Sequence, residues 1–256
     1  MIRLRPFLLM FCLALCLPQA SARQVHPESE AKWQLSVELV AHGAHKKYLK
    51  KVSELQQGQL LDTDALFVTR LHRITSKLAT QAEHDYPSSK NWQWEIHSND
   101  QEDEASFCMA GGKLIISRRQ VHDLGLNDTE LAMLIAHEMA HALLLHHYAE
   151  DVEALRLFPS WQQKSFEEFE TAVDDDDILV SALAQLGKQQ EFEADIKGMQ
   201  LALQAGYPAQ GLLSFFVKLR KQSAYPNFES RSHPAPAQRV QRLRNWLLQA
   251  KLITAQ

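Results

Sequence analysis

Residues 131–147 read Leu-Ala-Met-Leu-Ile-Ala-His-Glu-Met-Ala-His-Ala-Leu-Leu-Leu-His-His. Within that run, His137-Glu138-Met139-Ala140-His141 decides how the rest of the chain is understood. The apolar spacing predicts a helix, and on a helix two histidines four residues apart leave the same face one turn from each other. Both imidazoles can then reach one zinc ion at roughly 2.0–2.1 Å. Glu138 projects beside the remaining metal position, where a carboxylate can take a proton from water. Asn127 or Asp128, in the turn Leu124–Asp128, is placed to cap this helix.

After His141 comes Leu143-Leu144-Leu145-His146-His147. A histidine ten residues after the first can act as a third ligand where a glycine at position 144 lets the chain turn back. Here Leu144 favours continuation of the helix. His147 would then lie about 15 Å along the axis from His137, and His146 would face roughly the other way. Both are expected to be surface histidines near a helix C-terminus.

The third ligand is sought downstream. Gln189-Gln190-Glu191-Phe192-Glu193-Ala194-Asp195 opens another helix that ends at Gly206-Tyr207-Pro208. Glu191 and Asp195 share one face and Glu193 points away. Spacing alone does not separate these from exposed acids. The assignment adopted makes Glu191 the third ligand and Asp195 an acceptor that orients a ligand histidine through its other ring nitrogen.

Elsewhere the pattern is scaffold. Trp33–Gln57 is helical with Gly58 as its stop, and Asp62 or Asp64 caps a second helix reaching toward His84. Trp92–His97 alternates as a half-buried strand, and Gly111-Gly112 is a turn or bulge before a second strand, Lys113–Ser117. Residues 151–187 are expected to hold short helices and an apolar segment closed by Gly187. Asp174–Asp177 lacks the alternating ligands and glycine of a calcium loop and reads as solvated. Pro208 can begin a further helix, and a terminal helix follows Ser232-His233-Pro234.

The chain has 256 residues, 45% hydrophobic and 23% charged, with a formal net charge of −4. That suits a single globular domain with a substantial core, and no basic block points to nucleic acid. Arg3 and Arg5, the apolar run Phe7–Leu17, Pro18 and Ala20-Ser21-Ala22 have the order of an export signal. We therefore expect residues 1–22 to be removed and residues 23–256 to form one domain. Lipidation at Cys16 is disfavoured by the bulky Leu15. Removal takes away Arg3, Arg5, Cys12 and Cys16, leaving a formal charge of −6 and Cys108 as the single cysteine. One cysteine makes no internal disulfide. No later run is long enough to span a bilayer, so a periplasmic location is expected, with association at the outer membrane an extension of it.

Taken in order, strand, Gly-Gly-Lys and second strand, His-Glu-x-x-His, Glu-x-x-Ala-Asp and then Ser-His-Pro with Arg239 six residues after His233 resemble the M48 metallopeptidases. That is the group of the Ste24, HtpX and Oma1 proteases and their soluble periplasmic relatives, and the resemblance covers roughly residues 35–250. It implies an α+β, mainly helical gluzincin fold with a small sheet beside the histidine helix. It also implies one zinc ion on His137, His141 and Glu191, with Glu138 as base. Gly111, Gly112, Lys113 and Leu114 would form the edge on which a peptide substrate lies as an added strand. The family pattern before that strand is Asn-Ala-Phe/Trp-x-x-Pro-Gly-Gly. This chain has Ser106 and Ala110 where the pattern has other residues, which bears on the loop shape and leaves the metal ligands intact. From its place in the motif, His233 is a candidate donor to the oxyanion, with Arg239 as positioning or charge partner. Alternatively His233 occupies the fourth zinc position in a resting form.

The function expected is zinc-dependent endopeptidase action on misfolded or misassembled cell-envelope proteins, working near outer-membrane assembly machinery. Two rivals stand beside it: a chaperone-like binding factor in which proteolysis is secondary, and a metal hydrolase of small amides.

Overall fold

The histidine helix is the axis of the fold. In the computed structural model, which describes residues 33–102, 104–231 and 233–254, the first two helices are α1 (Val37–Gln57) and α2 (Ala65–Asp85). Ser36 caps α1, Gly58 closes it, and Asp64 caps α2 by accepting from Leu66 N and Phe67 N. The strands β1 (Glu95–Asn99), β2 (Phe107–Met109) and β3 (Lys113–Ser117) follow, then α3 (Arg118–Asp123) and α4 (Asp128–Leu143). The chain continues as α5 (His146–Leu157), α6 (Phe166–Asp175), α7 (Asp177–Gln204), α8 (Ala209–Gln222) and α9 (Pro236–Gln249).

The start of α4 is fixed by a reciprocal cap. Asn127 Oδ1 accepts from Glu130 N, and Glu130 Oε2 accepts from Asn127 N. Asp128, in the first turn, pairs with Arg70 and Arg73 from α2. Glu130 is itself buried, satisfied by Lys218 at 2.7 Å and Ser214 at 2.8 Å from α8. Leu131, Ala132, Met133, Ile135 and Ala136 are all fully buried, so α4 is apolar nearly all round. Such a helix belongs at the centre of a core. Here α2, the sheet, α7, α8 and α9 enclose it in one continuous apolar cluster.

Two sequence expectations are corrected by the helices. Gly187 does not close a segment: α7 runs unbroken from Asp177 to Gln204. A glycine costs about 1 kcal/mol in a helix interior, which the packing of a long helix outweighs. Nor is Asp174–Asp177 merely a solvated loop. Asp176 caps α7 through Ile178 N and Leu179 N, and Asp174 pairs with Lys47 at 2.7 Å.

The sheet corrects a third. Strand order is β1-β3-β2, with β1 parallel and β2 antiparallel to β3. Lys113 and Leu114 therefore lie on the central, wholly buried strand, at positions paired with β1 on one side and β2 on the other. They cannot take an added strand. Gly111 and Gly112 form the turn between β2 and β3, both at φ 83°, and a Cβ at Gly112 would come within 2.9 Å of the Trp94 ring. The strand edge next to the histidine helix is β2. Among the described residues no helix is long and apolar enough to cross a membrane. Residues 1–22, read as an export signal, lie outside the described residues.

Candidate metal centre

Each side chain of the centre comes from the face of α4 or α7 that the other covers. His137 and His141 leave α4 with their Nε2 atoms 3.4 Å apart. Glu191 on α7 places Oε2 3.6 Å from His137 Nε2 and Oε1 3.4 Å from His141 Nε2. Ligand atoms held at about 2.0–2.1 Å in a tetrahedral set stand roughly 3.3 Å from one another. The triangle of two nitrogens and one carboxylate therefore fits such an ion with little movement. Among the described residues this trio, and not His233 or His147, forms the group whose ligand atoms lie within 4.8 Å of one another.

A second circle of partners holds the trio. His137 Nδ1 lies 3.1 Å from Asp195 Oδ1. Asp195, 2% exposed, takes a bidentate pair from Arg239 at 2.9 Å and 2.6 Å. Arg239 Nη1 also reaches Glu191 Oε2 at 3.2 Å. Arg239 is thus the counter-charge beside two buried carboxylates. Burial alone would raise the pKa of Glu191, but His141, His137 and Arg239 outweigh it and hold the carboxyl well below its ordinary value. The same balance, burial against Arg239 and His137, lowers Asp195. The ligand carboxylate is therefore ionised before any cation arrives.

Helix α7 can approach this closely because Gly198 follows Glu191 by two turns. A Cβ at Gly198 would come within 2.8 Å of His137 N and 2.9 Å of Ala136 O. Small-residue contact between helices is visible in sequence only once the facing helix is known, so Gly198 had no signal of its own.

Glu138 is half-buried beside the trio, and burial raises its carboxyl above the ordinary value. That suits a group that must both take and return a proton. A cavity of about 300 Å³ is lined by Glu138, His137, His141 and His233, and by Ser106, Phe107 and Cys108 of β2 and its approach. His233 stands at its rim, its side chain 56% exposed and Nε2 3.8 Å from Glu191 Oε1.

The largest correction concerns the end of α4. The helix stops at Leu143, and Leu145 adopts the left-handed conformation at φ 57° before α5 begins at His146. For a residue with a Cβ this costs roughly 1–2 kcal/mol, which tertiary contacts must offset. Neither histidine becomes a surface residue. His146 is 4% exposed, its Nδ1 is 3.0 Å from His141 Nδ1, and its carbonyl accepts from Gln190 Nε2 at 3.1 Å. Burial, and then the neighbouring His141 ring, lower its pKa to about 3. His147 is half-buried, and burial lowers it to about 4.

Residues 67–247 match the profile of Peptidase family M48. The chain belongs to that family. It is similar to the mitochondrial metalloendopeptidase OMA1 of Saccharomyces cerevisiae (strain ATCC 204508 / S288c), at 26% identity over 223 residues. That match covers 81% of this chain and 64% of OMA1, so the chain spans less than two thirds of the relative's length.

Proposed function

We propose that this M48 protein is a zinc endopeptidase of exported, misfolded or misassembled envelope proteins. The observation that carries the chemistry is the Nε2, Nε2 and carboxylate triangle at 3.4–3.6 Å with Glu138 beside it. His137, His141 and Glu191 would hold the ion. A zinc ion held there would supply Lewis acidity. Glu138 takes the proton of the attacking water and returns it to the leaving amine, so each amide bond cut consumes one water. His233 donates to the developing oxyanion from the rim.

The β2 edge supports a protein substrate. An extended backbone pairing along Phe107–Met109 would run past Glu138 and be read by main-chain hydrogen bonds with little regard to sequence. Next to it, a cavity of about 790 Å³ lined by Phe216, Leu219, Tyr225, Phe228 and Pro234 also borders His233 and Arg239. Apolar side chains that a folded protein hides would fit there. The leader-like residues 1–22 support action outside the cytoplasm.

Metal analysis and casein cleavage by the parent and Glu138→Gln test the reading. We expect one zinc per chain in both and a rate loss on the order of 10²–10⁴ in the variant. A parent without zinc after loading would overturn it. So would cleavage of small amides with proteins spared. If cells need the protein but not Glu138, binding rather than cutting is its main work.

A further inference from the structure

His146 takes no part in the chemistry above, yet it is buried against a ligand. Two ring nitrogens 3.0 Å apart, His141 Nδ1 and His146 Nδ1, share a single proton when both rings are neutral. If that proton stays on His146, the proton of His141 sits on Nε2, the atom that faces His137 and Glu191. The lone pair needed for a metal is then lost. If the proton sits on His141 Nδ1, Nε2 is open and His146 Nδ1 is the acceptor. His146 must then be protonated on Nε2. That atom is buried without a hydrogen bond, and Glu193 Oε2 stands 3.4 Å from it.

We infer that His146 is a positioning residue of the metal centre, whose Nδ1 accepts from His141 Nδ1 and so fixes the ring and tautomer of that ligand. The inference rests on the zinc reading of the site. It gives the two histidines matching supports: Asp195 from α7 behind His137, and His146 behind His141. It also gives the left-handed Leu145 a purpose, since a continued helix would carry His146 away from His141. Gln190, adjacent to the ligand Glu191, ties the His146 carbonyl to α7. Glu193, which spacing alone turns away from the site, brings its exposed carboxylate within 3.4 Å of His146 Nε2. Outer partners of this kind typically change metal affinity 10–100-fold.

The test is zinc affinity by chelator competition for the parent, His146→Ala and His146→Asn, together with melting of the metal-free forms. Asparagine carries an acceptor oxygen where His146 carries Nδ1. We expect affinity to fall roughly 10–100-fold in His146→Ala and to recover to within a few-fold in His146→Asn. Cobalt-loaded protein should show a changed ligand-field spectrum in the alanine variant alone. Equal losses in both variants, tracking lower melting of the metal-free forms, would overturn positioning in favour of packing. Unchanged affinity in His146→Ala would also overturn it while leaving the zinc reading intact; a parent that binds no zinc overturns the zinc reading instead. Nitrogen-15 histidine spectra of the zinc-loaded parent need no variant. They should show His141 protonated on Nδ1 and His146 on Nε2, and the reverse tautomer of His146 would overturn the inference.

Discussion

Gly198 on α7 sits against the backbone of His137 on α4, so closely that a Cβ would come within 2.8 Å of the His137 nitrogen. The atoms in the way are backbone, which cannot rotate aside. Helix propensity favours alanine over glycine by about 1 kcal/mol, but overpacking between rigid helices costs about 1–3 kcal/mol. Gly198→Ala should therefore lower stability on balance and, by pushing Glu191 away from the histidines, weaken zinc binding. Melting and zinc stoichiometry of the purified variant check both effects. A variant that melts higher and keeps its zinc would show that α4 and α7 have room to spare.

Arg239 pairs with both Glu191 and Asp195, at 3.2 Å and 2.6 Å. Removing one partner of a buried ionic set leaves uncompensated charge, at about 3–5 kcal/mol. Arg239→Met keeps much of the volume and loses the charge. The destabilisation should be largest in the metal-free protein and smaller with zinc bound, because the cation takes over part of the task at Glu191. Denaturant unfolding with and without chelator measures the difference. Equal destabilisation in the two states would mean that Arg239 acts through packing on Phe216, whose ring centroid is 5.3 Å away.

A second set of buried acids should make stability fall as pH rises. Asp151 is 5% exposed, and burial, then the neighbouring Glu170 and Glu150, push it up to about 8. Glu150 and Glu170 are each raised to about 7, in both cases chiefly by burial. Lys47, bound to the Glu170 carbonyl and to Asp174, faces them, and Lys46 also acts on Glu170. An unfolded Asp titrates near 3.9, so between roughly pH 4 and 8 Asp151 holds its proton in the folded chain and loses it in the unfolded one. The stability that Asp151 itself contributes is then fully present below pH 4 and declines up to about pH 8. Asp151→Asn should flatten this slope and raise stability at pH 8.5 by on the order of 2 kcal/mol, about 4–8 °C in melting midpoint. Parallel melting curves for parent and variant from pH 5 to 8.5 would show that Asp151 is not held protonated.

What could be read from the sequence was whatever depends on one helix at a time. Gly58, Asp64, Asn127 and Pro208 mark helix ends because capping is local. His137 with His141, and Glu191 with Asp195, share faces because the helical period fixes their directions. The rest depends on what one element meets in another. Leu143-Leu144-Leu145 has helix-forming composition, and the contacts of His146 with His141 and Gln190 that accompany the break lie outside that local pattern. The central position of Lys113–Ser117 follows from strand order, which alternation along one strand does not encode. Gly187 could be read as a stop because nothing local says that α7 has a core to follow.

His233 separates two accounts of the rim. Its Nε2 is 3.8 Å from Glu191 Oε1, and it is not among the residues whose ligand atoms cluster within 4.8 Å. In this arrangement it borders the cavity without joining the ligand trio, which favours a donor to the substrate over a blocking ligand. Losing one oxyanion donor typically costs 10²–10³ in kcat. His233→Ala should show a fall of that order with unchanged zinc affinity and little change in melting, because the side chain is 56% exposed. KM should move less than kcat, since the donor is needed where charge develops and not where the substrate first docks. Steady-state cleavage of a defined peptide, with zinc held in excess, reads each of these. Faster cleavage in His233→Ala would reverse the assignment and make His233 a ligand that holds the resting enzyme shut.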